Sequence, residues 1–288
     1  LPPDAPGPHA ATVTLEPDDL LSFDQVRYVT WSSAAIPVVW LIAPETTVAG
    51  TDLTAVLVQN LLAPSDLPAA QQQVDAHVFT PVTVSDAIGA LRADGGGVAP
   101  ALVVVLADLT LAPSDVEQLR QWMERGSTVL LVPASDTRTA HWPGLDDLLL
   151  TAPPERAVVS PPVTIRWETA AADPDLALAQ RELGQCGVDQ RLAPCEFASG
   201  VEVVARYTDG APALVARRLG HGRLVFLTTS PDPRWSELGL RAAGLLGWLH
   251  GLVRDARHAP DVSANWLSHE HAQRTFAGLP RDGVVAIV

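Results

Sequence analysis

The amino-acid sequence predicts an α/β protein: a doubly wound parallel sheet with an antiparallel β meander and a small flanking β segment. Three observations support this prediction. Between residues 36 and 132, short apolar runs alternate with segments of helical spacing, which is typical of strand–helix units. Residues 201–229 contain strand-like runs separated by tight-turn residues. A weakly alternating segment, 11–34, precedes the first apolar run.

The first strand–helix units follow one another closely. Residues 36–43 are continuously apolar, which predicts a strand covered on both faces. Helical spacing of apolar residues follows over 51–62. A second strand is predicted over 77–84, although Pro81 weakens it. Ser85 is then expected to cap a short helix that ends at residue 91.

The next two strands have the clearest signals. Residues 101–107 and 127–132 are almost entirely apolar and short, as buried strands are. Between them, residues 114–125 predict a helix. Ser114 and Glu117 have the spacing of a capping box, and Gly126 is suited to ending the helix.

The second half of the chain is less regular until the meander. Within 133–200 the sequence predicts one clear strand, 163–167, in an otherwise irregular region. The meander comprises 201–207, 213–218 and 223–229, with a hairpin turn at Thr208-Asp209-Gly210. A last helix is expected to open at Asp232-Pro233, with Trp235 packing it onto the sheet.

These elements suggest three regions. Residues 1–34 form a β-rich segment, interpreted as the end of an Ig-like domain, and its first ten residues are expected to be a linker. Residues 35–253 form the α/β domain. Residues 254–288 form a tail with a terminal strand, which either pairs with 11–31 or starts another domain.

Charge and apolarity exclude several function classes. The formal net charge is −14, and all 19 basic residues are arginine. Such an acidic chain repels nucleic acid and anionic lipid surfaces, so neither is an expected partner. No run of about 18 uncharged apolar residues is present to span a membrane. The chain begins at Leu1, so we expect any membrane spans to lie outside this sequence.

A signature between residues 209 and 238 resembles that of the BatA-type membrane proteins. Its residues are Asp209-Gly210, Pro212-Ala213-Leu214, Arg217, Gly220, Gly222-Arg223, Phe226, Thr229-Ser230, Asp232, Trp235 and Leu238. Upstream, Asp18-Asp19-Leu20, Phe23-Asp24 and Arg27-Tyr28 are similar to the same family. The resemblance covers about 11–253. It implies a flavodoxin-like domain of the class I glutamine amidotransferase-like type.

The resemblance also implies a location and a role. Family members carry transmembrane helices and hold the α/β domain outside the cytoplasm, and their partners are other envelope proteins of a MoxR and von Willebrand-domain system. We therefore expect a protein-binding or assembly scaffold on the extracytoplasmic side of the cell membrane. Two alternatives remain: a hydrolase or amidotransferase with a displaced nucleophile, and a carbohydrate-binding module similar to the middle domain of β-galactosidases.

No catalytic residue is assigned from the sequence. Amidotransferases of this fold place a nucleophilic cysteine after the strand that corresponds to 127–132, where this chain has Pro133-Ala134-Ser135-Asp136-Thr137. A nucleophilic Ser135 would need a histidine base, and His141 is the nearest in sequence. A solvated loop serine is the favoured interpretation. No cofactor is expected, and His269 with His271 lacks an evident third metal ligand.

Two further sets of residues are candidates for function. Asp108, Ser135 and Asp136 follow parallel strands and are expected at the carboxyl edge of the sheet, where open α/β folds bind ligands. Helix capping and solvation are the simpler interpretation of the two acids. In the compartment implied by the resemblance, Cys186 and Cys195 are expected to form a disulfide, with two free thiols as the alternative.

Overall fold

Two units make up the protein, one of residues 1–36 with 258–288 and the other of residues 37–257. The structure is a computed structural model of the 288-residue chain. It describes residues 7–14, 26–33, 36–44, 53–64, 74–93, 99–107, 109–193, 195–257, 265–267 and 284–287.

The smaller unit is a four-stranded sheet with the order β13-β2-β1-β14. Its strands are β1 (Gly7–Thr14), β2 (Val26–Ser33), β13 (Asn265–Leu267) and β14 (Val284–Ile287). β1 pairs antiparallel with β2 and parallel with β14, with Ala10 opposite Val284. The last strand of the chain therefore belongs to the same sheet as the first. Residues 7–10, expected to be linker, are part of β1.

The larger unit is built on an eight-stranded sheet with the order β4-β3-β5-β6-β12-β11-β10-β8. Its first five strands in that order are mutually parallel, and the last three are antiparallel. The strands are β3 (Val38–Ile42), β4 (Asp75–Phe79), β5 (Leu102–Leu106), β6 (Thr128–Val132), β8 (Ile165–Trp167), β10 (Glu202–Tyr207), β11 (Pro212–Leu219) and β12 (Gly222–Leu227). The predicted α/β class and the antiparallel meander are both present.

In the described part of the chain, five helices accompany this sheet: α1 (Leu53–Leu62), α2 (Pro81–Ala93), α3 (Pro113–Arg125), α4 (Pro174–Leu183) and α5 (Ala242–Arg257). Both β5 and β6 are buried along their whole length, as strands covered on both faces are. A two-stranded sheet of β7 (Glu155–Val163) and β9 (Val188–Ala193) stands beside the main one. Among the described residues, no helix is long and apolar enough to cross a membrane.

The predicted second strand and the helix after it need correction. The strand ends at Phe79, and Pro81 opens α2 rather than interrupting a strand. Thr80 caps this helix: its hydroxyl accepts from the Thr83 N–H at 3.2 Å, while the Thr83 hydroxyl accepts from the Thr80 N–H at 2.8 Å. Proline suits the first turn of a helix because it has no N–H to satisfy. Ser85, the predicted cap, lies inside α2.

Helix α3 occupies the predicted position but begins differently. Its N-cap is Ala112, with no side-chain capping bond, and Pro113 leads the helix. The predicted capping box at Ser114 is therefore wrong. The predicted end is correct: Gly126 takes a φ of +124°, which an L side chain rarely adopts, and its N–H reaches back to the last turn.

The last helix begins ten residues later than predicted. Residues 231–241 form turns and one short 3-10 segment, Leu238–Leu240, before α5 starts at Ala242. Trp235 is fully buried within those turns and is not part of the helix. The middle region also holds more structure than predicted, because it contains α4, β7 and β9. The predicted hairpin at 208–210 joins β10 to β11.

Candidate functional site

Two turns meet at the carboxyl ends of the neighbouring parallel strands β6 and β12. The turn after β6 contributes Ser135 and Asp136, and the turns after β12 contribute residues 230–236. Ligands of open parallel sheets bind at such an edge, so we take this as the candidate site. Two of the three predicted edge residues therefore lie here. The third, Asp108, lies outside the described residues.

Ser135 is a buried network residue rather than a solvated loop serine. The residue is buried, at 3% exposure, and its hydroxyl lies 2.5 Å from Asp232 Oδ2. The indole N–H of Trp235 donates to the Ser135 carbonyl at 3.0 Å. From α1, Thr54 Oγ1 lies 3.0 Å from Ser230 Oγ and 3.4 Å from Ser135 Oγ.

Arg234 holds the carboxylate of Asp232 with three groups. Its backbone N–H and its Nε donate to Oδ1 at 2.7 Å and 3.0 Å, and its Nη2 donates to Oδ2 at 3.2 Å. Its Nη1 also donates to Asp136 Oδ1 at 3.1 Å. The Asp136 side chain is 91% exposed, so water screens that second pair and it contributes little stability. The Arg234 guanidinium thus lies between the buried carboxylate of Asp232 and the exposed carboxylate of Asp136.

The network keeps Asp232 ionised. Burial would raise the pKa of this carboxyl, which is fully shielded from solvent. Hydrogen bonds from Arg234 and Ser135 outweigh burial, and the pKa is lowered from its ordinary value. The Asp232 carboxylate in turn raises the pKa of Arg234. A carboxylate of lowered pKa is a weak base at neutral pH.

His141 belongs to a different pair in the loop that follows. Its Nδ1 lies 2.5 Å from Asp146 Oδ2, and the same carboxylate oxygen accepts from the Trp142 N–H at 3.1 Å. Trp142 anchors the loop to the end of β5, because its indole N–H donates to the Leu106 carbonyl at 3.1 Å. The Ser135–His141 pairing considered from the sequence is replaced by Ser135–Asp232 and His141–Asp146.

The two cysteines are free thiols, so the expected disulfide is not formed. Cys186 lies 3.6 Å from the Glu182 carbonyl at the end of α4, and Cys195 lies 3.4 Å from the Leu192 carbonyl after β9. Each thiol thus contacts the backbone of its own segment. Burial raises the pKa of Cys186 to about 11 and that of Cys195 to about 12.

Within the described residues, no group of three or more histidine, cysteine or acidic side chains could hold a metal ion. His269 and His271 lie outside those residues. Asp232 and Arg234 are the site residues that sequence reasoning did not assign. Asp232 belongs to the 209–238 signature, which could have marked it as a candidate. Its hydrogen-bond partner Ser135, however, is 97 residues away in the sequence.

No family model matches the chain, and no curated protein is significantly similar to it. Among solved structures, a cytoplasmic protein from Salmonella typhimurium LT2 is similar with a TM-score of 0.50 and 10% identity, over 75% of this chain and 99% of that one. A β-galactosidase from Bacillus circulans sp. alkalophilus is similar over 79% of this chain and 32% of its own, at 14% identity and a TM-score of 0.47. At such identity the first likeness supports the α/β fold alone.

Proposed function

We propose that residues 37–257 form a non-catalytic, amidotransferase-like domain of the flavodoxin-like type that acts by binding other proteins. One observation carries the non-catalytic part. The position where an amidotransferase would expose its nucleophile holds Ser135, which is buried and hydrogen-bonded to Asp232. A nucleophile must reach its substrate, whereas this hydroxyl is turned into the protein.

The chemistry around Ser135 supports the same proposal. A serine hydroxyl needs a base that can take its proton in the transition state, with a pKa near the working pH. Its partner Asp232 has a lowered pKa, because Arg234 stabilises the ionised form. The serine–aspartate–arginine arrangement therefore stabilises two turns and does not generate an alkoxide.

A fluorophosphonate probe tests the non-catalytic proposal. The native chain and Ser135→Ala are incubated with the probe, and the intact mass is measured. We expect no adduct on either protein, while a serine hydrolase in a parallel reaction is fully labelled. A stoichiometric adduct on the native chain that disappears in Ser135→Ala would favour the hydrolase alternative instead.

The location and the partners are a second part of the proposal, supported by the BatA-type resemblance of 209–238. On this view the domain is anchored by spans outside this sequence and faces the extracytoplasmic side, where envelope proteins of a MoxR and von Willebrand-domain system bind it. Protease treatment of intact cells that produce the full-length protein tests this. Cleavage within the domain is expected without lysis, and cleavage only after lysis would contradict it.

A further inference from the structure

Two arginines lie directly opposite each other close to the Ser135 network. The N–H of Arg156, at the start of β7, donates to the Arg138 carbonyl at 2.6 Å. Thr139 and Glu155 form the adjacent antiparallel bridge. Arg138 immediately precedes this isolated bridge and Arg156 immediately follows it, so the antiparallel register places the two residues opposite each other. Residues in such a position place their side chains on the same face, with Cβ atoms about 5 Å apart. Arg138 and Arg156 therefore form a cross-strand pair of like charge.

Neither guanidinium has a charged partner among the described residues. Both side chains are exposed, and neither makes an ion pair or a side-chain hydrogen bond within that part of the chain. Like charges directly opposite in a sheet destabilise each other. The neighbouring Arg234 differs, because Asp232 and Asp136 both bind it. Asp232 and Asp136 are thus already engaged by another cation.

Trp235 provides a platform for one member of the pair. The Arg156 guanidinium lies over the Trp235 ring, 5.5 Å from its centroid. That ring is fixed by its own hydrogen bond to the Ser135 carbonyl. A guanidinium held against an aromatic face loses part of its freedom to move, while its N–H groups stay available to a ligand. Less ordering entropy then remains to be lost when a ligand binds.

We propose that Arg138 and Arg156 form a binding site for an oxyanion group, either phosphate or carboxylate. Guanidinium groups present paired N–H donors that match the oxygens of both groups. An oxyanion bound between the two guanidinium groups would offset the repulsion between them. Because the net charge of the chain is −14, its overall field does not attract anions, and binding would depend on the local pair.

Calorimetric titration of the full chain with sodium phosphate and with sodium succinate tests the proposal, with sodium chloride at matched ionic strength as the blank. Binding of one or both is expected, and the better ligand identifies the group. Arg138→Gln and Arg156→Gln should each weaken the affinity about tenfold or more, since each removes a charge-assisted contact. Arg218→Gln is the matched control. It is an exposed arginine opposite Arg223, but the Arg223 guanidinium is already paired with Asp255 at 2.7 Å, so no anion is expected to bind there.

Two results would overturn the site: no binding of either anion by the native chain, or binding unchanged in Arg138→Gln. If Arg156→Gln fails to fold because Trp235 loses its cover, Arg138→Gln still decides, since Arg138 does not stack on that ring. The test is independent of the fluorophosphonate result, because anion binding requires neither Ser135 nor a catalytic step.

Discussion

Ser135 and Asp232 are 97 residues apart in the sequence, yet the hydroxyl of one lies 2.5 Å from the carboxylate of the other. Each residue follows the end of a strand, Ser135 after β6 and Asp232 after β12, and those strands are parallel neighbours. The bond therefore ties two turns together at the edge where open α/β sheets bind ligands. Its contribution can be measured as a change in the free energy of unfolding.

Ser135→Ala should lower the free energy of unfolding by about 1–3 kcal/mol, because it removes a donor from the buried Asp232 carboxylate. Urea denaturation followed by circular dichroism measures the change. Ser199→Ala is the control, since Ser199 lies exposed in a turn, and a change within about 0.5 kcal/mol is expected there. Equal stability of the two variants would show that the Ser135 bond contributes nothing.

Asp232→Asn should weaken the acid dependence of stability. The folded pKa of Asp232 is lower than its unfolded value, so its ionisation favours the folded state. That contribution is complete above the unfolded pKa of about 3.9 and is lost as the pH falls through the folded pKa. Unfolding free energies measured from neutral pH down to about pH 3 should therefore fall more steeply for the native chain.

Asp209 also has a lowered pKa, mainly through its hydrogen bond from Arg191, and it remains in the Asp232→Asn variant. Some acid dependence should therefore persist. Two pH profiles that run parallel throughout would contradict the role assigned to the Asp232 carboxylate.

Gly244→Ala should fail to stabilise α5. A Cβ at this position would lie 2.8 Å from Glu182 Cβ on α4, closer than real Cβ atoms approach each other. The cost of displacing α4, about 1–3 kcal/mol, should exceed the helix-propensity gain of alanine. The melting temperature should fall.

Gly89→Ala is the matched control for that substitution. Gly89 lies in α2, and a Cβ there would meet no atom within 4 Å. Alanine should therefore stabilise the protein by about 0.5–1 kcal/mol through helix propensity alone. If both variants were stabilised alike, the α4–α5 contact would be looser than the structure indicates.

In the native protein, both cysteines should react slowly with thiol reagents. With pKa values raised to about 11 and about 12, little thiolate exists at neutral pH, and the thiolate is the reactive form. Titration with a disulfide reagent should detect two thiols per chain in guanidinium without reductant, and slow reaction in the native state. Absence of thiols in the denatured, unreduced chain would instead establish the Cys186–Cys195 disulfide.

Local patterns were sufficient for much of the fold. β5 and β6 are short apolar runs, and Gly126 ends α3 through its own backbone freedom. Pro81 shows where local patterns fail. A proline is disfavoured inside a strand and favoured at a helix start, so the residue alone did not distinguish a weakened strand from the first turn of α2.

The candidate site was predictable only in part, for the same physical reason. The sequence by itself placed Ser135 and Asp136 at the carboxyl end of a buried strand, because strand periodicity and chain order are local properties. Only the tertiary structure decided that Ser135 is buried and that its partner is Asp232. Their contact depends on the pairing of β6 with β12, in which Leu131 is opposite Phe226, so both strands end at the same edge. Hydrogen bonds act over a few ångströms, and no local pattern specifies which distant turns come that close.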